Sequence, residues 1–277
     1  MTIDTTGASG DDRRIRTLHH REEVMGTIVT IDIYVDAGVP VNRLSAHVGR
    51  ARSALHQADE VFSTYDGDSP MSRLRRGEMT MNVMPPDVAG VLDACRRARK
   101  LSDGWFDPWA LPGGVDPTGY VKGWAAQRAL DTLRRPDVAA AVVNAAGDIA
   151  SFGGPVPGAR FRFAVVDPFD RSRVACVVEH TGAVATSGTY ERGQHLFDPR
   201  SRRMVTAAAS ATVTGSELGM ADALSTALAV GGHDVLDRIE GLAGFEALMI
   251  GHDRVRRWTS GFPFARDQVP STVGPVD

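Results

Sequence analysis

The sequence predicts an α+β fold, a mostly antiparallel sheet with helices packed against it. Three observations carry this. From Val24 to Val35 the chain alternates, with Thr27, Val29, Ile31, Ile33 and Val35 on one face and Thr30, Asp32 and Tyr34 on the other, the period of a strand. Apolar residues recur at helical spacing over Asn42–Phe62 and again over Pro86–Leu101. Several short strands then follow one another with Gly and Pro turns rather than helices between them, which favours α+β over a Rossmann sheet.

Taken in order, Met1–Asp12 is small, polar and Gly-containing and reads as a loose tail. After the alternating strand, Leu44, Val48, Ala51, Leu55, Ala58 and Phe62 form the apolar stripe of the first helix. Asp103-Gly104 stops the second. A third helix is expected from about Thr118 to Leu133, ended by Pro136. Strands are expected at Val138–Asn144, Phe161–Val166, Val174–Glu179 and Met204–Val213. A further helix starts at the capping box Thr214-x-x-Glu217 and stops at Gly231-Gly232. A short helix near Val235–Leu242 and a strand at Phe245–Ile250 follow, with Arg254–Trp258 joining that strand through a hairpin. Pro270 and Pro275 mark a loose end. The expected organisation is a tail over 1–14, one domain over 15–265 and a second tail over 266–277.

Composition narrows the function classes. The 277 residues are 43% hydrophobic and 23% charged, enough for a sizeable core. Net charge is −3, from 31 basic and 34 acidic residues, too balanced for an electrostatic nucleic-acid binder. The longest apolar run, Val138–Val143, is far below the ~20 residues of a bilayer span, and the N-terminal stretch has no apolar export region, so a cytoplasmic protein without membrane insertion is expected. Cys95 and Cys176 lie far apart without a C-x-x-C and read as core thiols. Arginines number 29 against two lysines, Lys100 and Lys122, so a Lys in a motif suggests a site that prefers a compact ammonium.

The usual nucleotide and hydrolase signatures are absent: no G-x-x-x-x-G-K-S/T, no G-x-G-x-x-G after a strand, no G-x-S-x-G and no H-E-x-x-H. Four other segments invite chemistry. In M-A-D-A-L-S-T-A-L, Asp222 and Thr226 stand one helical turn apart, hard oxygen ligands suited to magnesium. On spacing alone, a solvated Asp222 and a Thr226 bonded back to its own helix is the commoner arrangement. In Gly113–Ala125, Asp116-Pro117 leads into a helix whose free N–H groups favour phosphate, with Lys122 in the first turn; a plain turn and an exposed Lys fit equally. Asn144–Asp148 is a strand ending in a Gly-Asp turn. Val184–Tyr190 gathers hydroxyls around a Gly, and His195-Leu-Phe-Asp198-Pro follows.

In this order the segments resemble the ApbE family, the FAD:protein FMN transferases. The resemblance runs from Met25-Gly-Thr27 to about Gly261. It includes F-S-T-Y-D-G-D-S-P-M-S-R-L at Phe62–Leu74, S-D-G-W-F-D-P at Ser102–Pro108, D-P-T-G-Y-V-K-G-W-A, A-A-G-D-I, A-T-S-G-T-Y, H-L-F-D-P-R-S and A-D-A-L-S-T-A-L. It implies a T-fold-like α+β architecture with a small helical and loop lobe. It also implies a magnesium-dependent enzyme that moves FMN from FAD onto a Thr or Ser hydroxyl of a partner protein and releases AMP. The implied metal ligands are the side chains of Asp222 and Thr226 and the carbonyl of Gly119. The implied FAD contacts are Met25, Tyr65, Asp116, Lys122, Asp148, Thr186, Ser187, Gly188 and His195, together with the loop residues Trp109, Ala110 and Leu111. His195 or Asp222 would be the base for the acceptor hydroxyl, and His195 is favoured because a metal-bound carboxylate is a poor base. The implied acceptor carries a D-x-x-S/T-G-A-T/S segment.

The sequence departs from the family pattern in places. Ala146-Gly147-Asp148 stands where the family commonly has Gly-Gly-Asp, the stretch from Trp109 to Val115 is short, and Arg202 replaces a frequent Gly. No lipobox Cys is present, unlike many exported members, which agrees with the cytoplasmic expectation. Thr6-Gly7-Ala8-Ser9 resembles an acceptor core, but Ile3 stands where Asp is expected, so a plain tail is preferred over self-modification of Ser9. The competing functions are an FAD pyrophosphatase yielding FMN and AMP, and a non-catalytic FAD-binding protein.

Overall fold

A computed structural model describes residues 2–6, 15–188, 196–205 and 207–267. Its centre is an antiparallel sheet of nine strands: β1 (Thr2–Thr6), β2 (Ile15–Val24), β3 (Thr27–Asp36), β4 (Ala140–Ala145), β5 (Asp148–Phe152), β8 (Ala183–Gly188), β11 (Ala208–Gly215), β12 (Glu246–Gly251) and β13 (Arg256–Trp258), side by side in that order. The hairpin of β6 (Phe161–Asp167) and β7 (Asp170–His180) forms a separate ribbon, and β9 (Phe197–Asp198) pairs with β10 (Arg203–Met204). The α+β expectation holds.

The two faces of the sheet are buried differently. On β3, Val29, Ile31, Ile33 and Val35 are inaccessible to solvent and face a core shared with helices α1 (Val41–Phe62), α4 (Thr118–Thr132) and α5 (Leu218–Gly231). On the opposite face Val184 and Leu248 join Val165, Cys176 and Val178 of the β6–β7 ribbon with Trp258 and Phe262. Adjacent residues on β8 therefore serve different cores: Ala183 and Ala185 the helical one, Val184 the ribbon's. Helix α2 (Pro70–Arg75) packs on α1, α3 (Pro86–Leu101) on α5, and α6 (His233–Glu240) on β12. Both cysteines are buried and free, and burial pushes each thiol up to about 12, so they are inert core groups.

Helix α5 is the central element. Every residue from Leu218 to Val230 except Thr226 is buried, because α5 lies between the sheet and the helices outside it. Its crossing with α4 depends on missing side chains. A Cβ on Gly123 would fall 2.6 Å from the Leu218 carbonyl oxygen, and one on Gly219 would fall 2.8 Å from the Tyr120 ring. The helices meet backbone to backbone.

Several expectations change. The alternating strand begins at Thr27, because Met25 (φ 55°) and Gly26 (φ 65°) make a tight turn and Val24 closes β2. Strand β2 itself was hidden by its charges. Glu22, 8% exposed, accepts bonds from Arg52 Nη2 (3.0 Å), His56 Nε2 (2.7 Å) and His20 Nε2 (2.8 Å), so a strand rich in polar residues is satisfied internally. Part of the segment read as a loose tail is strand β1, paired with β2 from Thr2↔His19 to Thr6↔Ile15. The strand expected over Met204–Val213 divides into β10 and β11. The capping box does not form: Thr214 is a buried residue of β11, and the Glu217 carboxylate accepts the Tyr120 hydroxyl (2.6 Å) instead of closing on Thr214. Lys122, the fifth residue of α4, stands in its second turn rather than its first. Helix α2 was not anticipated.

Candidate functional site

The α4–α5 crossing exposes oxygen atoms on one side. Asp222, 4% exposed, is not on a solvated face; its Oδ2 accepts the Gly123 N–H (3.1 Å). Gly123 has a single N–H, and sharing it with Asp222 leaves the Gly119 carbonyl, its ordinary helical acceptor, with lone-pair capacity. One turn along α5, Thr226 Oγ1 lies 3.3 Å from Ser187 Oγ of β8, which is also 2.8 Å from Ser225 Oγ. A Cβ on Gly119 would lie 3.7 Å from Thr226 Oγ1 and 3.1 Å from the Phe106 ring, so the bare backbone at this position lets the two helices converge. Gly119, Asp222 and Thr226 thus meet at one place with oxygen donors only, the set a hard divalent cation prefers. Among the described residues no cluster of three or more His, Cys, Asp or Glu side chains is suited to a metal, so a cation here needs hydroxyl, carbonyl and substrate oxygens beside the one carboxylate.

Lys122 approaches from the same helix. Its Nζ is 2.6 Å from Asp148 Oδ2, and Asp148 is fully buried, its Oδ1 accepting the Thr186 N–H (3.3 Å). The carboxylate is set by the β4–β5 turn, where Asn144 Oδ1 accepts the Gly147 N–H (2.8 Å) and Ala146 adopts φ 51°. On the other side, Asp116 Oδ1 accepts the Thr118 N–H (3.1 Å) and hydroxyl (2.7 Å) at the entrance to α4. Its Oδ2 accepts from Arg75 of α2 (2.8 Å). The Met25 N–H donates to Asp59 of α1 (3.0 Å), fixing the β2–β3 turn against that helix.

These groups surround one cavity of about 600 Å³, within the usual range for a small-molecule or cofactor site. Met25, Tyr65, Leu111, Asp116, Gly119, Lys122, Thr186, Ser187, Gly188, Asp222 and Thr226 all line it. Tyr65 stands 89% exposed at its edge. Asp148 does not line the cavity; it holds Lys122 from behind. Trp109 and Ala110 also do not line it, and Trp109 instead lies beneath the Arg96 guanidinium (5.5 Å). His195 and Ser9 lie outside the described residues. The cavity adds Asp59, Trp105, Phe106, Asp107, Phe197 and Pro199, residues to which the sequence alone assigns no individual role. Five of these six lie in recognisable motif segments; Asp59 is a polar residue on the inner turn of α1 and gives no sequence signal.

A family model described as the ApbE family matches residues 25–113 and 110–249. A curated FAD:protein FMN transferase of Rhodobacter capsulatus is 33% identical over 145 residues, which are 49% of this chain and 27% of that relative. The chain therefore matches only a part of that relative's length. Among solved structures, the flavin transferase ApbE of Vibrio cholerae superposes with a TM-score of 0.76 at 21% identity, covering 90% of this chain and 98% of that one. The apo form of the Pseudomonas stutzeri flavinyl transferase ApbE gives 0.76 at 24% identity, covering 90% and 96%. The ApbE protein of Thermotoga maritima gives 0.75 at 20% identity, covering 88% and 97%. At these identities the superpositions speak for the fold. Among the described residues no helix is long and apolar enough to cross a membrane.

Proposed function

The chain belongs to the ApbE family, and from that premise we propose that it is a magnesium-dependent FAD:protein FMN transferase. The observation that carries this is the convergence of Asp222, Thr226 and Gly119 beside Lys122 on one wall of the 600 Å³ cavity. A ligand that is long, partly aromatic and anionic in the middle suits such a cavity.

In the proposed reaction a Thr or Ser hydroxyl oxygen of the acceptor protein attacks the phosphorus on the FMN side of the pyrophosphate. The bond from that phosphorus to the bridging oxygen breaks and AMP leaves with that oxygen. A phosphoester to the protein forms, and the hydroxyl proton passes to a base. Asp222, Thr226 and the Gly119 carbonyl would hold Mg²⁺, which when bound neutralises phosphoryl charge as a Lewis acid. The Lys122 ammonium, steadied by Asp148, faces the same anion and offsets charge on the departing group. Tyr65 supplies a ring face at the cavity wall for the flavin or the adenine. We assign the base to His195 on the sequence motif; His195→Ala is then expected to lose transfer even at saturating FAD.

The test is to incubate the protein with FAD, Mg²⁺ and a small acceptor domain carrying D-x-x-T-G-A-T and to record intact masses. The acceptor should gain the mass of FMN less water, and Asp222→Ala should abolish the gain. Free FMN and AMP beside an unmodified acceptor would replace this reading with FAD hydrolysis, and intact FAD would replace it with a binding protein.

A further inference from the structure

A transferase that modifies another protein must hold that protein at the mouth of its cavity, and one element is built both into the wall and out to solvent. The β9–β10 hairpin contributes Phe197 and Pro199 to the cavity lining. Its turn is locked: Asp198 Oδ1 accepts the Arg200 N–H (2.8 Å) and the Asp198 carbonyl accepts the Arg202 N–H (2.8 Å). The Arg200 guanidinium stacks on Trp105 of the cavity wall (3.9 Å) and bonds to Asp103 (3.1 Å). From this fixed base Arg202, Arg203, Met204 and Val205 all point to solvent, Met204 being 49% and Val205 44% exposed. Neither Arg202 nor Arg203 has a carboxylate within ion-pair distance among the described residues, although the chain as a whole is net negative.

We infer that this hairpin is the docking surface for the acceptor protein, and that it takes an acceptor segment carrying carboxylates close to the hydroxyl to be modified. Resting on the transferase reading above, it deepens that reading by placing the acceptor on one side of the cavity. Exposed Arg202 and Arg203 beside exposed Met204 match the Arg and Met enrichment of protein-recognition surfaces. Two adjacent positive charges with no carboxylate at ion-pair distance among the described residues complement an acidic segment, and the hydrogen-bonded turn lowers the ordering cost of binding. The hairpin contributes Phe197 and Pro199 to the cavity lining, so a segment held on it lies at the edge of the cavity.

The test compares the wild-type protein with Arg202→Glu/Arg203→Glu and with the milder Arg202→Gln/Arg203→Gln, using FAD, Mg²⁺ and the acceptor domain of the mass assay. The expected result is an acceptor KM raised about tenfold or more in the Glu variant and less in the Gln variant, with the KM for FAD and the thermal midpoint unchanged. Replacing the acceptor's carboxylates near the hydroxyl by Lys should weaken the wild type and restore the Glu variant. An unchanged acceptor KM, or an increase confined to the KM for FAD, would overturn the docking assignment while leaving the transferase reading intact. Failure of the wild type to modify any acceptor would remove both.

Discussion

Asp148 and Lys122 form one ion pair that bears on stability and, in the proposed reaction, on chemistry. Asp148 has no solvent access, so its charge is tolerable only because an ammonium stands 2.6 Å away. Lys122→Met strands that charge, and a loss of about 2–4 kcal/mol in urea unfolding is expected, below the top of the range for buried pairs because the ammonium is partly solvated. Adding Asp148→Asn removes the stranded charge and keeps an acceptor for the Thr186 N–H. The double variant should regain most of the stability yet still bind FAD poorly, since the cation facing the cavity is gone. If the double variant bound FAD as well as the wild type, the ammonium would have no role beyond the fold. The family resemblance pointed to Lys122 and Asp148, but not to their contact, which spans two elements joined only in the folded sheet.

At the scale of elements, two joints position the site. The α4–α5 crossing brings Gly119 to Thr226 and Gly123 to Asp222. Gly123→Ala would put a methyl 2.6 Å from a backbone oxygen, which rigid helices cannot yield cheaply. A destabilisation of about 1–3 kcal/mol is expected, together with a weakened response to Mg²⁺, measured by thermal unfolding with and without the ion. The second joint ties β2 to α1 through Glu22. The Arg52 guanidinium, aided by His56 and His20 and opposed by burial, holds the Glu22 carboxyl down at about 2, from 4.5. Its contribution is therefore present in full above about pH 4.5 and lost as pH falls through about 2. Glu22→Gln should cost about 2 kcal/mol at neutral pH, with Arg52 partly exposed, and flatten the acid limb of the stability curve. The periodic elements, β3, α1 and α3, were legible because one face of each is apolar and the other polar. Strand β2 was missed and the Thr214 capping box misread because their polar residues are satisfied by partners distant in sequence, which no local pattern displays.

For the whole molecule, the cavity draws on α1, the segment between α3 and α4, α4 itself, β8, α5 and the β9–β10 hairpin, so no single layer contains it. The ordered motifs located most of these pieces in the sequence, whereas the sheet order that places β8 between β5 and β11 required the fold. A site assembled from so many elements exists only in the native state, and a ligand that fills it must stabilise the entire chain by mass action. FAD at about a hundred times its dissociation constant is expected to add about 2.7 kcal/mol, which for a chain of this length raises the melting midpoint by several degrees. Mg²⁺ with FAD should raise it further than either alone, because the oxygen cluster at the helix crossing and the pyrophosphate would share the ion. Asp222→Asn keeps an acceptor for the Gly123 N–H and removes the charge. It should preserve the FAD increment in part and lose the magnesium increment. Equal magnesium increments in the wild type and Asp222→Asn would place the ion elsewhere, and the assignment of Gly119, Asp222 and Thr226 would fail while the flavin cavity stood.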